Sequence, residues 1–76
     1  MEKKVVVYTA DYCPHCKRLM RWLDDAGIEY KAKEVEPGSP ARIYLANNGR
    51  KTIPALEIDG VLVEHEPYIN IFKYLE

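Results

Sequence analysis

No stretch of this 76-residue chain comes near the ~20 consecutive apolar residues that a membrane-spanning helix needs. The opening "MEKKVVVY" has neither a long apolar segment nor a small-residue cleavage site, so a cytoplasmic protein with no membrane partner is expected. Excess charge is missing too: a net charge of -1 gives no general attraction to nucleic acid or anionic lipid, and no nucleic-acid partner is expected. Two cysteines are too few for the disulfide framework of a small secreted scaffold. Repeats, linkers and low-complexity segments are absent, so residues 1–76 read as one domain, of a size that buries only roughly 60% of its unfolded surface. What is present is the composition of a globular protein, 47% hydrophobic and 30% charged.

Residues Lys3 to Tyr8, dominated by Val5, Val6 and Val7, form a β-branched run expected of a strand buried on both faces. Further on, Leu19, Trp22, Leu23 and Ala26 recur at helical spacing, with Lys17, Arg18, Arg21, Asp24 and Asp25 on the other face and Gly27 suited to end the helix. Ile28, Tyr30 and Ala32 alternate with Glu29, Lys31 and Lys33, which predicts a second strand with one face covered. "EPGSPARIYLANNGR" offers Ser39 as N-cap and Pro40 at N1 of a short helix that closes at Asn48-Gly49. "IPALEIDGVLVEH" is two extended runs joined by Asp59-Gly60, a strong hairpin signal. After Pro67, the residues Tyr68, Ile69, Phe72 and Leu75 are placed on one face of a last helix. The order β-α-β-α-β-β-α predicts an α/β fold: one mixed four-stranded sheet with helices on both faces.

Between the first strand and first helix lies "ADYCPHCKRLMRWL". A strand that delivers Cys13 to a helix start sets its sulfur beside unpaired backbone N–H groups and the positive end of the helix dipole, which favours thiolate over thiol. Pro14 fits N1 because it has no N–H to leave unpaired. Cys16 follows one turn on, within reach of a disulfide. His15, when protonated, adds positive charge and lowers the Cys13 pKa further from its ordinary ~8.5, while Asp11 opposes this. In such a pair Cys13 is the nucleophile and Cys16 the resolving thiol. Two inert core thiols or half of a zinc site are the alternatives; His15 is badly aimed to join both sulfurs around one ion, and His65 reads as an exposed loop residue.

Here the chain resembles a glutaredoxin: "VVVYTADYCPHC" is similar to that family's first strand and active-site loop, and "GRKTIPALEIDG" to its second signature. The resemblance runs nearly end to end and implies a thioredoxin-like fold. It implies that Pro54 is cis and lies against the Cys13–Cys16 loop, with the backbone of Ile53 free to pair with an extended substrate. Arg50, Lys51 and Thr52 match the residues before that proline and are expected to help bind substrate; Tyr12 is a candidate groove wall, and Trp22 belongs to the core. Two departures bear on glutathione. Ala10 stands where glutathione-dependent members carry a lysine, and "EHEP", residues 64–67, replaces a Gly-Gly pair and the residues after it that hold the γ-glutamyl carboxylate.

The resulting expectation is a monomeric thiol–disulfide oxidoreductase acting on protein disulfides, with no metal or organic cofactor and with glutathione as a weak co-substrate. The alternatives are a redoxin recharged by a flavoprotein reductase of the thioredoxin-reductase kind, or a non-catalytic module holding an iron–sulfur cluster.

Overall fold

A computed structural model describes residues 3–50, 53–65 and 67–75. Along the chain come β1 (Val5–Thr9), α1 (Pro14–Asp25), β2 (Lys31–Glu34), α2 (Pro40–Asn47), β3 (Ala55–Ile58) and β4 (Val61–Val63), then a 3₁₀ turn (Tyr68–Asn70) running into α3 (Ile71–Leu75). The strands form one four-stranded sheet in the order β2-β1-β3-β4. β1 pairs parallel with β2 and antiparallel with β3, and β3 pairs antiparallel with β4. This is the α/β architecture that the element order predicts.

β1 is central, and all five of its residues are buried. Its side chains alternate between faces, as the pleat requires. Val5 and Val7 pack with Leu56, Ile58, Leu19 and Leu23 and with Ile71 of α3, whereas Val6 and Tyr8 pack with Ala55, Val35 and Leu45 of α2. Helices therefore cover both faces.

The helix ends are set by local chemistry. The Ser39 hydroxyl accepts the Arg42 N–H at 3.2 Å, and Pro40 occupies the first turn of α2. α1 ends in a Schellman arrangement: the Gly27 N–H donates to Asp24 O at 3.1 Å and the Ile28 N–H to Leu23 O at 2.9 Å, with Gly27 at φ 74°. In the hairpin, Asp59 and Gly60 both have positive φ, 51° and 85°, the conformation that lets a two-residue turn follow the strand twist. The Asp59 carboxylate also accepts the Lys4 N–H at 2.8 Å, tying this turn to the entry of β1.

Three expectations are corrected. β2 begins only at Lys31 and has no covered face, all four residues being exposed, because it lies at the edge of the sheet. Ile28 and Tyr30 do pack against the core, but from the loop that follows α1. At the C-terminal end, Tyr68, Ile69, Phe72 and Leu75 do not share one buried face: Ile71 is the wholly buried residue, and Ile69 and Phe72 are exposed. The 3₁₀ turn shifts the phase, since three residues per turn bring Ile71 above Tyr68. Ala26 is likewise exposed rather than part of the α1 core stripe.

Candidate redox site

The end of β1 carries the chain directly into the cysteine loop. A turn closes there, the Cys13 N–H donating to Ala10 O at 3.2 Å, and Cys13 becomes the N-cap of α1 with extended backbone (φ -104°, ψ 101°). Its sulfur accepts the Cys16 N–H at 3.2 Å, so one of the unpaired donors of the helix start is already directed at it. Pro14 follows in the first turn, where its missing N–H matters least.

Cys13 and Cys16 are joined as a disulfide, their Cα atoms 5.3 Å apart. The two sulfurs differ in access: Cys13 is 7% exposed, while Cys16 is 0% exposed. Cys16 continues the buried stripe of α1 formed with Leu19 and Leu23, which explains its inward position. Ala10, Met20 and Ile53 pack around the pair.

The topology assembles the rest. β3 runs antiparallel to β1, so its N-terminal approach lies at the same end of the sheet as Cys13, and β4, antiparallel to β3, ends there too. The Ile53–Pro54 peptide bond is cis. A groove of about 520 Å³ has His15, Arg50, Ile53, Pro54, Glu64 and His65 in its walls. Arg50 Nη1 lies 3.5 Å from Glu64 Oε1. A second groove, about 370 Å³, shares His15 and is formed with Arg18, Pro67 and Tyr68. Near β2, hydrogen bonding to Asp11 and that residue's charge raise the Glu34 carboxyl above its ordinary range, so two acidic groups meet beside the cysteine loop.

Cys13, Pro14, Cys16, His15, Arg50, Ile53 and Pro54 are thus brought together at one end of the sheet. Tyr12 is 82% exposed and borders neither groove. Lys51 and Thr52 lie outside the described residues. Trp22 is half-buried, its ring 5.7 Å from Tyr68 and 5.4 Å from Phe72. Among the described residues, no three His, Cys, Asp or Glu side chains form a group arranged to hold a metal ion. The Arg50–Glu64 pair was not foreseen from the sequence. The available signal was topological: the residue after β4 must return to the end where β3 begins.

The fold and the Cys-x-x-Cys loop define a thioredoxin-like protein. A solved structure of the thioredoxin-like protein BC3987 superposes with a TM-score of 0.77 at 26% identity, covering 95% of this chain and 100% of that one. Glutaredoxin C1 from Populus tremula x tremuloides, in its holo form, superposes with a TM-score of 0.74 at 28% identity over 92% of this chain and 80% of that one. The Glutaredoxin family profile matches residues 5–63. A glutaredoxin of Ricinus communis is 37% identical over 60 residues, 74% of this chain and 59% of that protein. The chain belongs to the glutaredoxin family. It spans 45% to 59% of the length of the plant glutaredoxins it matches.

Proposed function

We propose that this chain is a thiol–disulfide oxidoreductase that reduces protein disulfides, with Cys13 as nucleophile and Cys16 as resolving thiol. The observation that carries the reading is the inequality of the two sulfurs: Cys13 sits at the helix start and accepts an N–H, while Cys16 is wholly buried behind it. A sulfur held by a backbone donor at the positive end of a helix is favoured as thiolate, and the thiolate is the attacking species. It bonds to one sulfur of the substrate disulfide, whose S–S bond breaks, and the departing thiolate takes up a proton. Cys16 then loses its proton and attacks the mixed disulfide, closing the Cys13–Cys16 bond and releasing the second substrate thiol. One disulfide is reduced and one dithiol oxidised.

Recharging requires an outside thiol donor, glutathione or a flavoprotein reductase. Weak use of glutathione fits the replaced carboxylate site, where Pro67 has no N–H to donate and Glu64 adds negative charge. The reading places the protein in the reducing cytoplasm, acting as a monomer.

Alkylation of the reduced protein tests the roles. Iodoacetamide at neutral pH should label Cys13 well before Cys16, and Cys16→Ser should accumulate a mixed disulfide that Cys13→Ser does not. Faster labelling of Cys16 would reverse the assignment. Turnover of a model disulfide with glutathione and its reductase, compared with turnover driven by a thioredoxin reductase, identifies the donor. Visible absorbance of the purified protein would instead favour the cluster-binding alternative.

A further inference from the structure

The strand order sets out a row of groups along the redox end of the sheet. Glu34 closes β2 beside Asp11, Cys13 follows β1, Ile53 and Pro54 lead into β3, and Glu64 leaves β4. Acidic side chains therefore stand on both sides of the reactive sulfur. Among the described residues, Arg50 is the lysine or arginine in the wall of the groove that Glu64 lines, and it is engaged: its side chain is 32% exposed and meets Glu64, itself 76% exposed, at 3.5 Å.

We infer that Glu64 is a specificity-determining residue that keeps anionic thiols out of the groove and turns the redox face toward disulfides borne on cationic polypeptide segments. The inference rests on the reading of Cys13 as nucleophile. A guanidinium is the side chain best suited to grip a carboxylate, and in this groove Glu64 supplies that carboxylate from within the chain. An incoming anion must displace Glu64 and then lie beside it, so it gains less from Arg50 than an unpaired guanidinium would give. A lysine or arginine flanking a substrate disulfide meets the opposite situation, because Glu64, 76% exposed, can accept a second cation without giving up Arg50. Arg18 lines the second groove and not the one that holds Glu64. The exchange itself is balanced as above: the reduced dithiol is oxidised, the substrate disulfide becomes two thiols, and no further reactant enters.

The test is a single-turnover reaction of the full chain, reduced with dithiothreitol and freed of it, with three disulfides. These are neutral hydroxyethyl disulfide, anionic glutathione disulfide, and the disulfide-linked dimer of a blocked Lys-Cys-Lys peptide. At low ionic strength the cationic peptide should react about tenfold faster than glutathione disulfide, with the gap narrowing as salt screens the charges. Glu64→Gln should raise the rate ratio of glutathione disulfide to the neutral probe about two- to fivefold, and adding Arg50→Gln should remove that gain. Glu29→Gln makes the same change in net charge just beyond the far end of α1, about 18 Å of helix away, and should leave the ratio unmoved. Equal rates for the anionic and cationic disulfides, or equal effects of the two glutamate variants, would overturn the inference. If the neutral probe itself does not react with the unmodified protein, the oxidoreductase reading fails, which is a separate result.

Discussion

Against one face of the sheet lie Leu19 and Leu23 of α1 and Ile71 of α3, all wholly buried against Val5, Val7, Leu56 and Ile58. Against the other, among the described helices, lies α2, whose one buried side chain, Leu45, packs with Val6, Tyr8, Val35 and Ala55, and polar contacts lie beside this smaller cluster. Glu57 Oε2 accepts the Tyr44 hydroxyl at 2.6 Å and the Tyr8 hydroxyl at 3.2 Å, and the two rings lie 5.9 Å apart. The difference follows from what each face must hold. The apolar face fixes the helix that carries the cysteines, with Cys16, Leu19 and Leu23 on one stripe, so its packing sets the position of the redox pair. The other face has a shorter helix with fewer apolar side chains to offer. A carboxylate with two phenol donors provides direction there that apolar contact does not.

If this contrast is right, Leu23→Ala should have the largest effect, a loss of about 2–5 kcal/mol measured by urea unfolding, because a wholly buried leucine leaves a cavity in a dense core. Glu57→Ala should lose less, about 1–3 kcal/mol, since it strips the acceptor from two partly buried hydroxyls without removing core volume. Equal losses would erase the distinction between the faces.

A smaller effect should separate them by pH. Burial, followed by the charge of Glu57, pushes the Tyr8 phenol up from its ordinary 10 to about 12, and hydrogen bonding to Glu57 raises Tyr44 as well. The folded chain thus holds these protons more tightly than the unfolded one. The stability they contribute is fully present below pH 10 and is lost as pH rises through the window up to about 12. Unfolding followed by circular dichroism across that window should show a shallower decline for Tyr8→Phe than for the unmodified protein. Tyr30, raised by burial and by Asp24 on the other side of the sheet, should matter less when replaced by Phe. The least effect is expected from Ile43→Ser on α2, which should change unfolding by no more than about 0.5 kcal/mol because Ile43 is exposed.

What could be read beforehand was whatever depends on neighbours in sequence. The valine run, Ser39-Pro40, Asp59-Gly60 and the Cys13–Cys16 loop each carry their reason within a few residues, and each stands where it was expected. Family resemblance is what sets Ile53 and Pro54 beside the cysteine loop, and the antiparallel course of β3 is the physical reason that Ile53 packs against the cysteines and Pro54 shares a groove with His15. Contacts that depend on register were hidden. Val6 faces Glu57 and Tyr8 faces Ala55 across the β1–β3 pair, which sets Tyr8 diagonal to Glu57, a neighbour 49 positions away. Alternation misled at β2 because Ile28 and Tyr30 reach the core before the strand begins, and helical spacing misled after Pro67 because the first turn there is 3₁₀.

The bare outer edge of β2 has a consequence for solubility. β1, "VVVYT", is uncharged and β-branched, the kind of segment that stacks into fibrils when left open. In the fold it is flanked by β2 on one side and β3 on the other, so the edge offered to solvent on that side is Lys31, Ala32, Lys33 and Glu34. Lysines on an edge strand repel a second copy and are poorly placed to accept one. The four exposed residues that add nothing to the core therefore act as gatekeepers, keeping the most aggregation-prone stretch of the chain from templating its own growth.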